Sequence, residues 1–185
     1  MRKLILFMLA LAAISACKPE TYTGPLDSPV GNWKGVRTDY YFAGEMVGEA
    51  EGCEYTAISF YPEELCCIEG VKGAFQYAYE HSSGALSIDN TVWSVHTLTG
   101  AELVMEYMET IFPENGTFES TIELPVSYKG ISINADNNGY YYEDGNEKVY
   151  CRFFSTTTES GTQTIDFWYD RHIDHFIPLV VESKK

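Results

Sequence analysis

Polar and apolar residues alternate with a period of two along several segments of this chain. In the segment 118–129, FESTIELPVSYK, apolar residues fall on one side and polar residues on the other. Successive side chains of a β-strand point to opposite faces, so this pattern predicts a strand buried on one face, with Pro125 indicating an edge or a bulge. The same alternation returns at 75–80, 102–107 and 165–170.

Dipeptides that favour tight turns separate these segments, and each of them ends in glycine. No segment of ordinary helical length competes with the strands, although YPEELCCIEG (61–70) fits either one helical turn or a strand. About ten short strands with one buried face predict an all-β fold, an antiparallel barrel or sandwich. The turn dipeptides are Ser83-Gly84, Thr99-Gly100, Asn115-Gly116, Asn138-Gly139, Asp144-Gly145 and Ser160-Gly161.

The N-terminus has the organisation of an export signal. Its basic start is followed by the apolar run 4–14, which is shorter than the about 20 residues of a membrane-spanning helix. Ile14-Ser15-Ala16-Cys17 resembles the lipobox of bacterial lipoproteins, in which the cysteine is lipidated and the leader is removed. This resemblance implies that 1–16 is a signal peptide and that Cys17 carries the acyl chains, palmitate among them, of a membrane anchor. The alternative is an ordinary secretory peptide cleaved after Ala16.

The composition after residue 16 limits the partners of the protein. Residues 17–30 contain three prolines and little apolar periodicity, which predicts an extended tether, and 31–185 has the size of one β domain. Loss of the signal peptide leaves 10 basic and 27 acidic side chains, a formal charge of −17. Nucleic acid is therefore excluded as a partner. We expect a protein anchored by lipid to the bacterial outer membrane, facing either the periplasm or the exterior.

Four cysteines remain besides Cys17, in a compartment where disulfides persist. Adjacent residues of a strand point to opposite faces, so we expect Cys66 and Cys67 to bond to different partners, one to Cys53 and the other to Cys151. A redox-active or metal-binding pair is the alternative, but no C-x-x-C or histidine spacing supports it.

A family resemblance lies in the first half of the predicted domain. Gly31-Asn32-Trp33 resembles the G-x-W motif that opens lipocalins, and TVWSVHTLTGAELVMEY (91–107) is similar to paired strands in the lipocalin-like domains of small Gram-negative lipoproteins. The resemblance implies a lipocalin-like β-barrel, or a barrel-like sandwich, of about 8–10 strands, with Trp33 closing its bottom. It also implies a basic residue stacked on Trp33, for which Arg152 and Arg171 are the candidates.

The chain is rich in aromatic residues, with 14 Tyr, 10 Phe and 3 Trp. An eight-stranded barrel has room for one small ligand if side chains do not fill it, and tyrosine offers both a ring and a hydroxyl. We therefore predict a binding protein for a small hydrophobic or glycan ligand, with no cofactor and no catalytic residue. The alternative is a filled barrel that serves as a protein-interaction or structural module. The predicted ligand-binding residues are Phe75, Tyr77, Tyr79, Trp93, Met105 and Tyr107.

Two further motifs lie near hairpin turns. The three tyrosines of GYYYEDG (139–145) suit either sugar stacking or cross-strand aromatic pairing. Asn134, Asp136, Asn138 and Gly139 have the spacing of the first half of a calcium-binding loop, but Gly145 at the twelfth position offers no carboxylate.

The segment DRHIDH (170–175) places Asp170, His172 and Asp174 on one strand face and His175 on the other. These residue types bind zinc or exchange protons elsewhere, yet polar residues at a strand end are the simpler interpretation. A hydrolase, the less favoured function, would require Asp170 and His172 to converge with another acid in a cleft.

Overall fold

The computed structural model describes residues 26–109, 118–159 and 161–179. Fourteen β-strands account for most of them, and within these ranges there is no helix long and apolar enough to cross a membrane. The strands are β1 (Gly31–Phe42), β2 (Glu45–Glu51), β3 (Ala57–Tyr61), β4 (Leu65–Ile68), β5 (Phe75–Glu80), β6 (Ala85–Ile88), β7 (Thr91–Leu98), β8 (Leu103–Met108), β9 (Val126–Tyr128), β10 (Ile131–Asp136), β11 (Gly139–Asp144), β12 (Glu147–Thr157), β13 (Gln163–Tyr169) and β14 (Arg171–Pro178).

Eight antiparallel strands form a closed barrel, in the order β1, β3, β4, β5, β6, β7, β8 and β14. The pairing of β14 with β1 closes it, in a register that runs from Trp33 opposite Pro178 to Tyr41 opposite Arg171. The predicted all-β, antiparallel barrel is therefore confirmed. The chain leaves the barrel twice. The first excursion is β2, which pairs with β1, and the second is β9 to β13, which form a separate five-stranded sheet.

The barrel is filled from the Trp33 end upward by the inward-facing residues of its strands. Trp33 is 3 % exposed, and its Nε1 donates a hydrogen bond to the carbonyl of Pro29 at 2.7 Å. Alternation in β5 and β8 turns Tyr77 and Met105 into the same interior, as the sequence pattern predicts. The other buried members of this core are Ile58, Phe60, Cys66, Ile68, Leu86, Ile88, Trp93, Leu98, Leu103 and Phe176.

Strand β1 is long enough to serve both parts of the molecule. Its first residues pair with β3, and its later residues, from Arg37 to Phe42, pair with β2. A bulge between Gly35 and Arg37 shifts the alternation by one residue, so that Thr38 continues the inward-facing row that begins at Trp33. The second half of β1 thereby carries the sheet beyond the barrel, where the five-stranded sheet packs on it.

The five-stranded sheet, in the order β13, β12, β11, β10 and β9, has its own core. Phe42, at the end of β1, is fully buried in that core and so joins the two parts. On the other side of β13, the ring of Phe167 stacks on Phe154 at 5.1 Å and lies 5.3 Å from the ring of Tyr40. The remaining buried members of the second core are Ile133, Tyr140, Tyr142, Cys151 and Trp168.

The segment 118–125 is not the strand that its alternation predicts, because regular pairing starts only at β9. Its apolar side nevertheless packs on the second core, through Phe118, Ile122 and Leu124. Pro125 has no N–H to donate to a strand ladder, and the backbone N–H of Thr121 donates instead to the Tyr140 hydroxyl at 3.0 Å. The pattern thus predicts the buried face correctly but not the backbone conformation.

Strand β13 is covered on both faces, which the sequence pattern does not predict. Ile165 packs on the second core, as does Trp168, at 1 % exposed, although the two residues are three apart. A register irregularity opposite the Phe154–Ser155 step brings them to the same side, while Phe167 faces Tyr40 of the barrel. Segment 61–70 is the end of β3, a turn and β4, so its helical alternative is wrong.

Turns occur where the sequence predicts them, at 83–84, 99–100, 138–139 and 144–145. Asn115-Gly116 and Ser160 lie outside the described residues, as do the signal peptide, Cys17 and the tether up to residue 25. The last residues of the predicted tether, 26–30, do not extend away from the domain. Leu26 packs on the barrel core and its N–H donates to the carbonyl of Leu98 at 3.1 Å.

The predicted disulfides are wrong for this structure, in which Cys53, Cys66, Cys67 and Cys151 are free thiols. Cys66 lies in the barrel core and Cys151 in the second core, so the two thiols are buried in different hydrophobic cores. Cys66 and Cys67 do point to opposite faces of β4, one buried and one half-buried. Burial raises the pKa of the Cys66 thiol to about 11, which keeps it protonated.

The prediction that Arg152 or Arg171 stacks on Trp33 is also wrong. Arg171 packs on the ring of Tyr41, 4.6 Å from its centroid, and Arg152 pairs with Glu109. Both lie toward the far end of the barrel: β14 runs antiparallel to β1 and places Arg171 seven positions from Pro178, the residue opposite Trp33, and Glu109 follows the end of β8. The polar edge of Trp33 is satisfied by the Pro29 carbonyl instead.

The contact between Gly48 of β2 and Phe167 gives a test of how the two parts pack. A Cβ at position 48 would lie 2.5 Å from Phe167 Cε1, and the stack on Phe154 prevents the ring from moving away freely. We expect Gly48→Ala to lower the free energy of unfolding by about 1–3 kcal/mol in urea titrations, through overpacking. Combination with Phe167→Leu should cost less than the sum of the two single changes, and strict additivity would contradict this account.

Candidate functional site

Polar residues replace the hydrophobic core at the end of the barrel opposite Trp33, called the mouth below. Three paired strands bring them there: Asp174 of β14 lies opposite Thr38 of β1, and His172 lies between Tyr40 of β1 and Tyr107 of β8. All five positions continue the inward-facing rows of their strands. The change from apolar to polar residues along one barrel interior marks the mouth as a candidate functional site.

Four charged side chains at the mouth form an acid–histidine cluster: His172 and Asp174 of β14, Glu109 just after β8, and Arg152 of β12. His172 Nδ1 lies 3.0 Å from Glu109 Oε1, and its Nε2 lies 3.6 Å from Asp174 Oδ2. The second oxygen of Glu109 pairs with Arg152 Nε at 3.0 Å, as an ion pair without hydrogen-bond geometry. The side chains of Glu109 and Asp174 are 1 % and 2 % exposed, so both carboxylates depend on these cations and on Thr38, whose hydroxyl donates to Asp174 at 2.5 Å.

The cluster favours a charged histidine. Burial by itself lowers the pKa of His172, but the hydrogen bond to Glu109 and the negative charges of Asp174 and Glu109 outweigh burial, and the pKa is raised. Burial raises the pKa of Asp174, and the nearby His172 and the Thr38 hydroxyl oppose that rise only in part. The raised pKa favours the imidazolium, and both ring nitrogens face carboxylates of the protein, an arrangement that does not suit general-base catalysis.

The acids of the cluster are committed to cations of the protein itself. In the described part of the chain, no group of three or more His, Cys, Asp or Glu side chains is arranged to hold a metal ion. Cys53 lies beside the cluster, with its thiol donating to the Arg37 carbonyl at 3.2 Å. Burial, with the charge of Asp174, raises the pKa of Cys53 to about 11, so this thiol is not an activated nucleophile.

A cavity of about 150 Å³, called the mouth cavity below, opens next to the cluster. It shares Glu54, Arg152 and His172 with a pocket of about 40 Å³ that Thr38 and Asp174 also line, and that pocket has room for about one water molecule. The second sheet contributes to the wall of this space, because Arg152 of β12 lines it and pairs with Glu109. Besides Arg152 and His172, the mouth cavity is lined by Glu54, Tyr55, Thr91, Trp93 and Tyr107.

Three aromatic rings form the wall of the mouth cavity. The rings of Tyr55 and Trp93 lie 6.2 Å apart at 67°, and those of Trp93 and Tyr107 lie 5.9 Å apart at 43°. Tyr55 comes from the link between β2 and β3, which packs against the backbone of Gly35 so closely that a Cβ there would lie 2.7 Å from the Tyr55 carbonyl oxygen. The glycine therefore allows this link to bring Tyr55 and Glu54 to the mouth.

The predicted ligand-binding residues divide between the core and the mouth. Tyr77 and Met105 are buried in the barrel core, with Phe75 and Tyr79 packed against it. Only two of the six reach the mouth cavity; they are Trp93 and Tyr107.

Sequence reasoning missed several residues of the site. Glu109 continues the alternation of Leu103, Met105 and Tyr107, and this extension of β8 is a signal that could have identified it. Glu54 and Arg152 stand 98 positions apart in the chain with no local pattern. Of the DRHIDH segment, His172 and Asp174 do converge with another acid, whereas Asp170 is held by Ala43 N at 2.6 Å and the Tyr142 hydroxyl at 2.8 Å.

The remaining sequence motifs have structural explanations. Tyr141 lies opposite Tyr150 with ring centroids 6.2 Å apart, and Lys148 Nζ lies 4.1 Å above the Tyr141 ring, which is cross-strand aromatic pairing. The suggested calcium loop is a hairpin turn in which Lys148 donates to Asp136 Oδ2 at 2.6 Å and Asn138 N donates to Oδ1 at 2.9 Å. Its carboxylate is occupied by the protein's own donors.

A larger surface groove, of about 490 Å³, lies on the other side of the second sheet, where β8 ends. Its buried acid is Asp170, which already accepts hydrogen bonds from Ala43 and Tyr142. The groove therefore offers no unsatisfied buried charge to a ligand, and the mouth cavity has the stronger combination of aromatic walls and charged groups.

Comparison of the chain with protein-family models, with curated proteins and with solved structures finds no significant match. The fold and the mouth cavity are thus the observations from which a function is proposed.

The raised pKa of His172 predicts how stability depends on pH. A histidine whose pKa is raised on folding stabilises the fold fully below its unfolded value of 6.5 and loses that contribution as the pH rises through its folded pKa. The raised pKa of Asp174 acts in the same direction at lower pH. We expect the free energy of unfolding to fall as the pH rises above about 6.5, and Glu109→Gln to reduce that fall.

Proton NMR titration of the His172 ring, alongside urea unfolding at each pH, is the measurement. His81→Asn is the control, since that side chain is 62 % exposed and lies outside the cluster. A His172 pKa below 6.5, or one that Glu109→Gln leaves unchanged, would refute the proposed charge balance.

Proposed function

We propose that this protein is a non-enzymatic, membrane-anchored lipoprotein that binds a small polar or glycan ligand at the mouth of its lipocalin-like barrel. The single observation that carries the proposal is the mouth cavity, in which aromatic rings and charged groups line one space between the barrel and the second sheet. Such a combination is typical of ligand sites in barrel mouths.

The filled lower barrel argues against a long hydrophobic ligand. Trp33, Phe60, Leu103 and Phe176 are each no more than 3 % exposed and occupy the space that an apolar chain would need. A purely apolar molecule in the mouth cavity would also cover charged groups without satisfying them, which is costly. A ligand with hydroxyl or charged groups and one face that stacks on Trp93 or Tyr107 suits the lining better.

The cavity volume limits the ligand to a small molecule. About 150 Å³ is below the roughly 300–1,000 Å³ of pockets that hold drug-sized ligands. At about 30 Å³ per water molecule, it corresponds to around five waters. A single sugar ring or a molecule of similar size is the scale that we propose, at the end of a larger glycan or by itself.

The absence of an enzymatic role is part of the proposal. His172 shares its ring nitrogens between Glu109 and Asp174, and the raised pKa favours its charged form. Glu109 is in turn paired with Arg152, so the cluster is arranged to hold the mouth together. A filled-barrel interaction module remains the alternative function, and it is the result expected if no small molecule binds.

Blocking the cavity tests the ligand site. Thr91 lines the mouth cavity and is half-buried, and the neighbouring Val92 points outward and is 59 % exposed. We expect Thr91→Phe to fill the cavity and to lower ligand affinity at least about tenfold with little change in stability. Val92→Phe is the matched control and should bind as the unchanged protein does.

The ligand for this test comes from native mass spectrometry of the protein purified from its own host, compared with the same sample after denaturation. A small molecule retained only in the native state, and lost in Thr91→Phe, supports the proposal. Failure to find one, with no thermal shift across mono- and oligosaccharides, would favour the interaction module.

The lipid anchor is tested separately at Cys17, which lies outside the described residues. Because at least two acyl chains are needed for stable anchoring, their loss should release the protein. We expect Cys17→Ser to move it from the membrane to the soluble fraction, and Cys67→Ser, the control, to leave it membrane-bound. A Cys17→Ser protein that stays in the membrane fraction would show that the anchor lies elsewhere.

A further inference from the structure

We infer that the ligand of the mouth cavity carries a small organic ammonium group, an amine or a quaternary ammonium, held between Glu54 and the rings of Tyr55, Trp93 and Tyr107. This inference rests on the proposed ligand site and specifies the chemistry that the site recognises. Three observations support it: the charges around the cavity, the arrangement of the rings, and the effect of the local carboxylates on nearby tyrosines.

The charge left over in the mouth cavity is negative. Arg152 and His172 both line the cavity, but each has a carboxylate partner at 3.0 Å on Glu109, and His172 has a second partner in Asp174. Glu54 lines the same cavity and forms no ion pair with any residue in the described ranges. Of the charged groups at the mouth, Glu54 is therefore the one that a ligand can neutralise.

The rings are arranged as walls for a cation. Tyr55 and Trp93 are inclined at 67° and Trp93 and Tyr107 at 43°, so the three rings do not lie in one plane and can contact a ligand from more than one direction. An ammonium group within about 6 Å of several aromatic rings is attracted to their negative faces, and this attraction is strongest at a desolvated site. Trp93, at 4 % exposed, is the most buried of the three rings, whereas Glu54 is an exposed residue.

The carboxylates near the mouth tyrosines act in the same direction, as a contribution smaller than burial. Burial raises the pKa of Tyr55, with the charges of Glu54 and Asp174 adding to the rise. Burial and the charge of Asp174 likewise raise the pKa of Tyr40. Carboxylates that disfavour a phenolate at these positions favour a cation at the same place.

An anionic ligand is the chemical opposite and is disfavoured here. A carboxylate drawn to Arg152 would compete with Glu109 for that guanidinium and would lie in the same cavity as Glu54. The formal charge of −17 expected for the mature chain also lowers the local concentration of anions and raises that of cations. A neutral sugar would gain the aromatic contacts but nothing from the charge of Glu54.

The experiment compares choline with its neutral isostere dimethylbutanol, in which carbon replaces the nitrogen, by isothermal titration of the mature lipoprotein in a non-ionic detergent. We expect choline to bind at least about tenfold more tightly than the alcohol, the difference being the cation–π and ionic attraction. Glu54→Gln should remove most of that difference by weakening choline alone. Tyr55→Leu, which keeps an apolar side chain but removes one ring, should also weaken choline more than the alcohol.

Glu63→Gln is the matched control, since it makes the same charge change at the exposed turn between β3 and β4, at the Trp33 end of the barrel. Choline and alcohol of equal affinity, or choline binding that Glu54→Gln leaves unchanged, would overturn the ammonium assignment. If sugars or the alcohol still bind and Thr91→Phe abolishes their binding, the proposed ligand site stands without it. If none of these molecules binds, both the assignment and the proposed ligand site fall.

Discussion

The pairing of β1 with β14 is the interaction on which the rest of the structure depends. These strands are joined through backbone hydrogen bonds from Trp33 to Tyr41, although most of the chain separates them in sequence. Closure removes the two open edges that an eight-stranded sheet would otherwise expose. It also places Thr38 beside Asp174 and Tyr40 beside His172, so the strand pairing that closes the barrel also assembles the polar mouth.

The second sheet supplies part of the wall of the cavity at the open end of the barrel. Arg152 pairs with the buried carboxylate of Glu109, and the Tyr142 hydroxyl donates to Asp170 at the junction of β13 and β14. A buried acid without such partners would be strongly destabilising, so the inserted sheet is tied to the barrel by charge as well as by the aromatic contacts of Phe42 and Phe167. The site exists because two hydrophobic cores meet along β1 and leave their polar residues between them.

Position along the barrel axis decides what each inward-facing residue does. Near Trp33 the row of β8 and β14 supplies Leu103 and Phe176, and the interior is closed. Four register positions further on, the same two strands present Tyr107 and His172, which line a cavity. A single period-two pattern therefore continues from the packed interior to the lining of the mouth cavity. Its composition changes where the second sheet supplies the neighbouring residues.

Strand periodicity, turn positions and the inward faces of β5 and β8 could be predicted from the sequence because each depends on residues adjacent in the chain. The same reasoning failed for 118–125, whose apolar residues pack on the second core although the segment is not a strand. It also failed for the cysteines, because disulfide pairing depends on distances across the fold. Two of the six residues that it predicted for ligand binding, Trp93 and Tyr107, line the mouth cavity, but it did not place Glu54, Glu109 or Arg152 there. The sequence by itself thus determined an antiparallel β protein with an aromatic interior. Only the tertiary structure decided where charge meets that interior, because ion pairs and cavities arise between strands that no local pattern connects.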